Sequence, residues 1–287
     1  MMMFASLNRA CAVAFGATIA VCLAFSGGPA NADLLAEIKK RGEFIVGTEA
    51  RFPPFEFVED GKIVGYSTDI MVHVMKALPG VKLKRLDLPW QGILPGLAAA
   101  KFDYVVTSVT VTKERYAKYA LSLPIADATM ALVKRKGDAS IKGPEDIVGH
   151  TVGSQAGSAQ LQALQAFAKG LASSGKGVKE IKTYVDFNEA FADLAAGRIA
   201  AVCNSLPNLL DLVRKRPDTF EMVLPTFGPK KYFSWAGRKD AESASLAAFM
   251  DKQIAALNKS GVLTALQEKW FGGPMDLPAD KLPVPQN

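Results

Sequence analysis

The chain has 287 residues, of which 34 are Lys or Arg and 28 are Asp or Glu, so its formal net charge is +6. This mild charge comes with no block of five basic residues, no zinc-finger spacing and no aromatic RNA-binding motif, so we expect no nucleic-acid partner. Only one of the three cysteines, Cys203, follows residue 32, which excludes an internal disulfide or a cysteine zinc site in the rest of the chain.

The first 32 residues have the pattern of a secretory signal peptide. Residues 1–10 carry one charge, residues 11–25 are uncharged, and the segment ends in Ala30-Asn31-Ala32. We therefore predict export to the periplasm with cleavage after Ala32. The remaining 255 residues are enough for one large domain or for two lobes.

Two alternatives exist for this leading segment. A membrane anchor needs about 20 apolar residues, and Gly16, Gly27, Gly28 and Pro29 disfavour it. Lipidation at Cys22 is disfavoured because the preceding valine is bulkier than lipidation sites usually accept.

Segments with strand and helix patterns alternate after residue 42. The predicted strands are 43–49, 81–88, 103–109, 150–155, 180–185 and 199–205. The predicted helices are 67–78, capped by Ser67 or Thr68, and 91–102, 159–173 and 188–197. This alternation predicts parallel α/β sheets covered by helices on both faces.

A short internal repeat suggests two lobes of the same plan. Residues 97–108 and 194–205 both read as a helix end, a basic turn, an apolar strand and a polar exit, at a constant offset of 97. Alanine-rich helices produce such repeats by chance fairly often, so the repeat does not by itself establish two lobes.

The first of these strands ends in hydroxyl groups followed by an arginine. Thr107, Ser108 and Thr110 lie at its exit, and Arg115 follows in the next helical segment. Ligands of open α/β sheets bind beyond the carboxyl ends of strands, where backbone amides and helix N-termini are exposed. We expect the hydroxyls to line the floor of a cleft that binds a small anion, with Arg115 above it.

Five motifs occur in a recognisable order. They are GTEARFPPFEF at 47–57, GKIVGYSTDI at 61–70, TSVTVTKER at 107–115, DIVGHTVGSQAGSA at 146–159 and LNKSGVLTALQEKWFG at 257–272. With them the chain resembles the bacterial extracellular solute-binding proteins of the polar amino-acid type (family 3), which serve ABC importers.

The resemblance implies an α/β fold of type II, a two-lobed periplasmic-binding-protein clamshell. It would contain two mixed sheets with covering helices and a two-segment hinge. Lobe one would combine 33–123 with 231–287, and lobe two would take 124–230. The crossing segments would lie near Leu123–Ala126 and Phe227–Tyr232.

The resemblance also assigns roles to residues of lobe one. Arg115 would hold the α-carboxylate of the ligand, because a guanidinium offers a planar fork of donors and keeps its charge. Ser108 and Thr110 would share the ligand's polar ends. Phe52 and Trp90 would form aromatic walls. The alternatives are a solvated helical arginine, strand-end packing for the hydroxyl residues and ordinary core packing for the aromatic ones.

Lobe two offers a glycine turn and one departure from the family pattern. Gly157 and Ser158 precede an apolar helix and suit either an anion site or an ordinary N-cap, which are compatible. Family members end the following strand in an aspartate that pairs with the ligand's α-ammonium, whereas this chain has Asn204. Either Glu49, Asn204 and nearby carbonyls replace that aspartate, or the ligand is not an ordinary α-amino acid. Glu49 would reach the ligand's distal group.

The expected function follows from this resemblance. We expect the substrate-binding component of an ABC importer, a monomer that carries an amino acid or related small carboxylate to an inner-membrane permease. We expect no enzymatic activity, cofactor or metal: His73 and His150 lie far apart in the sequence, and Cys203 suits a small apolar position in a strand. The alternative is an enzyme on the same fold, such as a cyclohexadienyl-dehydratase-like protein, for which Glu49 is the candidate acid or base. A sensory lobe of a larger receptor is disfavoured because the sequence stops soon after Trp270.

Overall fold

The computed structural model describes residues 33–285, so the predicted signal peptide, its cleavage site and Cys22 lie outside the described residues. The strands are Glu43–Thr48 (β1), Arg51–Phe52 (β2), Glu56–Glu59 (β3), Lys62–Val64 (β4), Lys82–Asp87 (β5), Tyr104–Thr110 (β6), Tyr119–Leu121 (β7), Ala126–Asp127 (β8), Met130–Arg135 (β9), Thr151–Gln155 (β10), Glu180–Tyr184 (β11), Ala201–Ser205 (β12), Phe220–Phe227 (β13) and Tyr232–Arg238 (β14). The α-helices are Leu34–Arg41 (α1), Tyr66–Met75 (α2), Trp90–Ala98 (α3), Lys113–Lys118 (α4), Ala159–Ser173 (α5), Phe187–Ala195 (α6), Leu206–Lys215 (α7), Ala244–Lys259 (α8) and Val262–Phe271 (α9).

The strands form two large sheets and one small one. The first sheet has the order β5-β1-β6-β14-β7, with β8 also beside β14, and the second has the order β11-β10-β12-β9-β13. In both sheets the three strands at one end are parallel and the others join antiparallel. Both sheets are therefore mixed, and the purely parallel sheets suggested by the strand–helix alternation are wrong. A small ribbon β2-β3-β4 lies apart from them.

The internal repeat of the sequence is also present in the fold. In the first sheet, the ring of Phe102 covers Gly47 so closely that an added Cβ there would lie 2.6 Å from it. In the second sheet, Ile199 covers Gly153 in the same way, at 2.9 Å. Phe102 and Ile199 are 97 positions apart, so the repeated sequence pattern corresponds to repeated packing of a helix end over the central parallel strand.

Helix α2 begins differently from the prediction. It starts at Tyr66 after Gly65, without a side-chain cap, and Ser67 is buried inside the helix. Gly65 has a φ of +120°, and a Cβ there would lie 2.4 Å from the carbonyl oxygen of Phe55. The predicted cap by Ser67 or Thr68 is wrong because close backbone packing at Gly65 sets the helix start.

The chain passes from the first sheet to the second between β8 and β9, and returns between β13 and β14. Because Ala126–Asp127 still pairs with β14, this pairing would put the first crossing after Asp127. The limits of the lobes and the hinge stay predictions. Cys203 lies in the buried core of the second sheet, as predicted. No helix within residues 33–285 has the length and apolarity needed to cross a bilayer.

Candidate ligand-binding site

A cavity lies at the carboxyl ends of the parallel strands, between the two large sheets. The space inside it that can hold a solvent molecule is about 10 Å³, close to what one water molecule needs, so the two sides nearly touch. Its lining residues are Glu49, Phe52, Trp90, Ser108, Thr110 and Arg115 from the side of the first sheet and Gln155, Ser158 and Gln160 from the side of the second. Seven of these nine were predicted from the sequence. Parallel strands bring their carboxyl ends to one edge of a sheet, and four of the nine lie at or directly after such ends: Glu49, Ser108, Thr110 and Gln155.

Arg115 reaches the cavity from α4. Thr112 caps this helix, because its hydroxyl accepts a hydrogen bond from the Arg115 amide at 3.2 Å. The guanidinium lies over the ring of Trp90, 4.8 Å from its centroid, and donates to the carbonyl of Thr110 at 3.1 Å. It also donates to the carbonyl of Gly157 at 3.4 Å, which links the two sides of the cavity. These contacts fix the plane of the guanidinium against Trp90.

The charge of Arg115 has no carboxylate partner in the described part of the chain. The residue is 7% exposed, and its hydrogen bonds go to backbone carbonyls. Neighbouring Glu114 pairs instead with Lys118 at 2.8 Å. Burial lowers the pKa of Arg115 to about 10, so it stays cationic at neutral pH. Burial, and then the charge of Arg115, also lower the pKa of Lys231. A buried cation of this kind is unfavourable unless an anion joins it.

Strand β6 divides its polar residues between two faces. Ser108 and Thr110 line the cavity, whereas the Thr107 hydroxyl donates to Glu56. The Ser108 amide donates to the same carboxyl at 2.9 Å. The expectation that Thr107 lines the cleft floor is wrong, because successive strand residues alternate between the faces of a sheet.

Glu49 is a second buried ionisable residue of the cavity. It is 4% exposed and accepts a hydrogen bond from the side-chain amide of Gln155, across the gap between the sheets. It forms no salt bridge with any of residues 33–285. Burial raises the pKa of Glu49 to about 8, and the nearby carboxyl of Glu56 adds to this effect. The side chain is therefore largely protonated and neutral at pH 7.

Sequence reasoning missed Gln155 and Gln160. Gln155 ends β10 and also donates to the carbonyl of Val185 at 3.1 Å, while Gln160 lies in the first turn of α5. Both occur in the SQAGSAQ segment, whose strand-end and helix-start positions would have indicated them. Ser158 caps α5, since its hydroxyl accepts from the Leu161 amide at 3.0 Å. The predicted N-cap is confirmed, and anion binding there stays a prediction.

Gly157 and Asn204 were predicted to contact the ligand, but neither is among the lining residues of the cavity. Gly157 contributes its carbonyl, which accepts from Arg115 and, at 3.0 Å, from the Trp90 indole. The side-chain oxygen of Asn204, Oδ1, accepts from the Ser205 amide at 2.7 Å and from the Gln160 side chain at 3.5 Å. At the offset of 97, Asn204 corresponds to Thr107, and neither residue lines the cavity. Strand alternation explains the position of Thr107, and a ligand contact of Asn204 stays a prediction.

The two aromatic residues of the lining have different surroundings. The ring centroid of Phe52 lies within 6 Å of those of Phe55, Phe187 and Phe233, so Phe52 belongs to the core. It also borders the cavity. Trp90 is 7% exposed and contacts Arg115 with its face. The core interpretation of Phe52 is confirmed, and its role as an aromatic wall for the ligand stays a prediction.

Hydrogen bonds outside the cavity also connect the two sides. The exposed side chain of Gln91 donates to the carbonyls of Ala156 at 3.2 Å and Val185 at 3.0 Å. Elsewhere, Asn208 of α7 donates to the carbonyl of Pro53 at 2.7 Å. These contacts join the two sides of the cavity at positions beyond its lining.

The profile of the bacterial extracellular solute-binding proteins, family 3, matches residues 44–273. The chain belongs to this family. The L-cystine-binding protein TcyJ of Escherichia coli strain K12 is 34% identical over 245 residues, which span 85% of this chain and 88% of that protein. The structure of an ancestral arginine-binding protein bound to arginine matches with a TM-score of 0.72 and 36% identity, over 81% of this chain and 99% of the other.

A third match concerns catalysis. The family 3 solute-binding protein described here is also similar to an ancestral amino acid-binding protein, a precursor of cyclohexadienyl dehydratase. The TM-score is 0.73 and the identity 30%, over 83% of this chain and 99% of the other. The predicted fold class, a type II periplasmic-binding-protein fold with two mixed sheets, is confirmed, and binding proteins dominate among the relatives.

Proposed function

We propose that this protein is the substrate-binding component of an ABC importer, which captures an amino acid or related small carboxylate in the periplasm. It would act as a monomer and deliver its ligand to an inner-membrane permease. The names of the relatives support amino-acid transport. The observation that carries the proposal is Arg115, a buried cation that lines the cavity between the two sheets and lacks a carboxylate partner among the described residues.

In the proposed complex, Arg115 holds the ligand's α-carboxylate with two parallel hydrogen bonds. Ser108 and Thr110 lie beside it on β6 and contact the same end of the ligand. Glu49 faces the ligand's distal group, with the Gln155 amide beside it. Trp90 covers the guanidinium on one face and limits the access of water.

The experiment is a thermal-shift screen of the purified protein against the twenty standard amino acids, L-ornithine and L-cystine, followed by calorimetric titration. We expect at least one α-amino acid to raise the melting temperature in a concentration-dependent way, because a ligand that binds only the folded state stabilises it. An absence of any shift across this panel at millimolar concentration would contradict the proposal.

The dehydratase alternative has one observation in its favour. Glu49 is a buried acid whose pKa is raised to about 8, so it could donate a proton at neutral pH. Incubation with prephenate and L-arogenate, followed by absorbance and mass spectrometry, separates the two functions. We expect no turnover. Steady product formation that Glu49→Gln abolishes would favour the enzyme.

Export is a separate part of the proposal. We expect the protein in the periplasmic fraction to begin at Asp33, which caps α1 through a hydrogen bond from the Ala36 amide at 3.1 Å. Intact mass spectrometry of that fraction tests this. A mass that includes residues 1–32 would contradict cleavage, and a mass that begins at Cys22 with added lipid would support lipidation.

A further inference from the structure

The surroundings of Glu49 hold its carboxyl without a cation. Its hydrogen bond comes from the neutral amide of Gln155, which itself is 2% exposed. A carboxylate buried in this way is unfavourable, because an uncharged amide donor replaces only part of its hydration. The side-chain amide of Gln155 also donates to the carbonyl of Val185, and this second hydrogen bond keeps the amide beside Glu49.

The charged groups near Glu49 favour its neutral form. Glu56 on β3 and Asp186 at the start of α6 are acidic, and each disfavours a further negative charge at Glu49. Arg51 on β2 favours a negative charge at Glu49, but this arginine already forms a salt bridge with Asp87 at 3.1 Å. Arg115 of α4 lines the same cavity, and the proposed ligand carboxylate would neutralise its charge.

We propose that Glu49 discriminates between ligands by changing its protonation state, accepting a cationic side-chain end as a carboxylate and a neutral amide end as an acid. This rests on the proposed function, in which the ligand's distal group faces Glu49. With a cationic ligand, the Glu49 O–H bond breaks, the proton leaves to solvent, and the carboxylate accepts hydrogen bonds from the ligand's cation. With an amide ligand, the proton stays and the carboxyl hydrogen-bonds the amide.

The two ligand classes should therefore respond differently to pH. Below pH 8, binding of a cationic end requires the removal of a proton, so affinity rises with pH. The expected change is about tenfold per pH unit while the free form is protonated and the bound form is not. An amide end needs no proton transfer, so its affinity stays nearly constant. Selectivity then shifts towards the cationic ligand as pH rises.

Calorimetric titrations with L-arginine and L-glutamine at pH 5.5, 6.5 and 7.5 test this. We expect the Kd of L-arginine to fall about tenfold per pH unit and that of L-glutamine to change less than about twofold. Titration of L-arginine at pH 6.5 in phosphate and in imidazole, which differ in ionisation enthalpy, should show release of nearly one proton. L-Glutamine should release almost none. Neither ligand has a group of its own that titrates in this range.

Two variants identify the source of the proton. Glu49→Gln keeps the size and the neutral charge of the protonated residue, so it should fold and should lose the pH dependence for L-arginine. Glu56→Gln removes the neighbouring carboxyl, whose pKa burial raises to about 7, and should retain proton release. L-Arginine binding that is independent of pH, or proton release that persists in Glu49→Gln, would overturn the inference and leave the proposed function standing. Failure of every amino acid to bind would refute the proposed function itself.

Discussion

The substitution Arg115→Met removes the guanidinium from the cavity and keeps a long unbranched side chain against Trp90. In the proposed complex the guanidinium donates two charge-assisted hydrogen bonds to the ligand's carboxylate, each contributing about 1.5–3 kcal/mol. Their loss weakens binding by about 3–6 kcal/mol, which corresponds to a Kd roughly 10²–10⁴ times higher. A ligand of micromolar affinity would then bind with a Kd of about 0.1–10 mM.

The unliganded protein should respond much less to this change. Arg115 loses its hydrogen bonds to the carbonyls of Thr110 at 3.1 Å and Gly157 at 3.4 Å. The same substitution removes a buried charge without a carboxylate partner among residues 33–285, and this offsets the loss. We expect the free energy of unfolding to change by about 1 kcal/mol or less, equivalent to about 2–4 °C in Tm for a chain of this size.

The assay is calorimetry with the amino acid that gives the largest thermal shift in the unmodified protein, together with Tm measurements without ligand. Arg115→Lys serves as the matched control, because it keeps a positive charge and loses the planar fork. Its Kd should lie between those of the unmodified protein and Arg115→Met. A Kd within threefold of the original in Arg115→Met would show that this guanidinium does not hold the carboxylate.

Three further predictions concern closure, capping and pH. Gln91→Ala removes two exposed hydrogen bonds between the two sides of the cavity, so ligand affinity should fall about fivefold. The radius of gyration of the unliganded protein, measured by X-ray scattering, should increase. If neither the affinity nor the radius of gyration changes, Gln91 has no role in closure. Ser158→Ala removes the cap of α5 and should lower stability by about 1 kcal/mol, measured by urea denaturation, whereas Ser158→Asp should retain most of it. The pKa values of Glu49 and Glu56 are raised by burial to about 8 and about 7, so the folded protein retains protons that the unfolded chain loses above pH 4.5. The free energy of unfolding without ligand should therefore fall as pH rises from 5 to 8.5, and Glu49→Gln should flatten that fall; a rise over this range would contradict the sign.

Apolar runs and capping residues were enough to predict the parallel half of each sheet. Residues 159–173 form a helix with the predicted bounds, because Ser158 caps its start and an apolar stripe follows. The antiparallel strands β9, β13 and β14 were missed. Their pairing with distant strands depends on contacts that local sequence does not encode.

The residues of the cavity were predictable where one strand end carried several polar side chains. Ser108, Thr110 and Arg115 were identified from β6 and α4, and the structure brings all three together. The error at Thr107 came from treating neighbouring strand residues as though they shared a face. Gln155 ends a predicted strand, and this position could have indicated it, but its contact with Glu49, 106 positions away, cannot be predicted from a local pattern.

The contacts that close the cavity belong to two groups with different consequences for affinity. The bonds of Arg115 and Trp90 to Gly157, and of Gln155 to Glu49, involve groups that a ligand would engage, so a ligand must replace them at least in part. The bonds of Gln91 involve no lining residue of the cavity, so we expect them to remain when the ligand is present. Binding therefore gains only the difference between the ligand's contacts and those of the first group. The contacts of Gln91 reduce the free energy needed to keep the two sides together, whichever ligand is bound. It follows that lining residues determine which ligand binds, whereas residues beyond the lining, such as Gln91, change the affinity for all ligands by a similar factor.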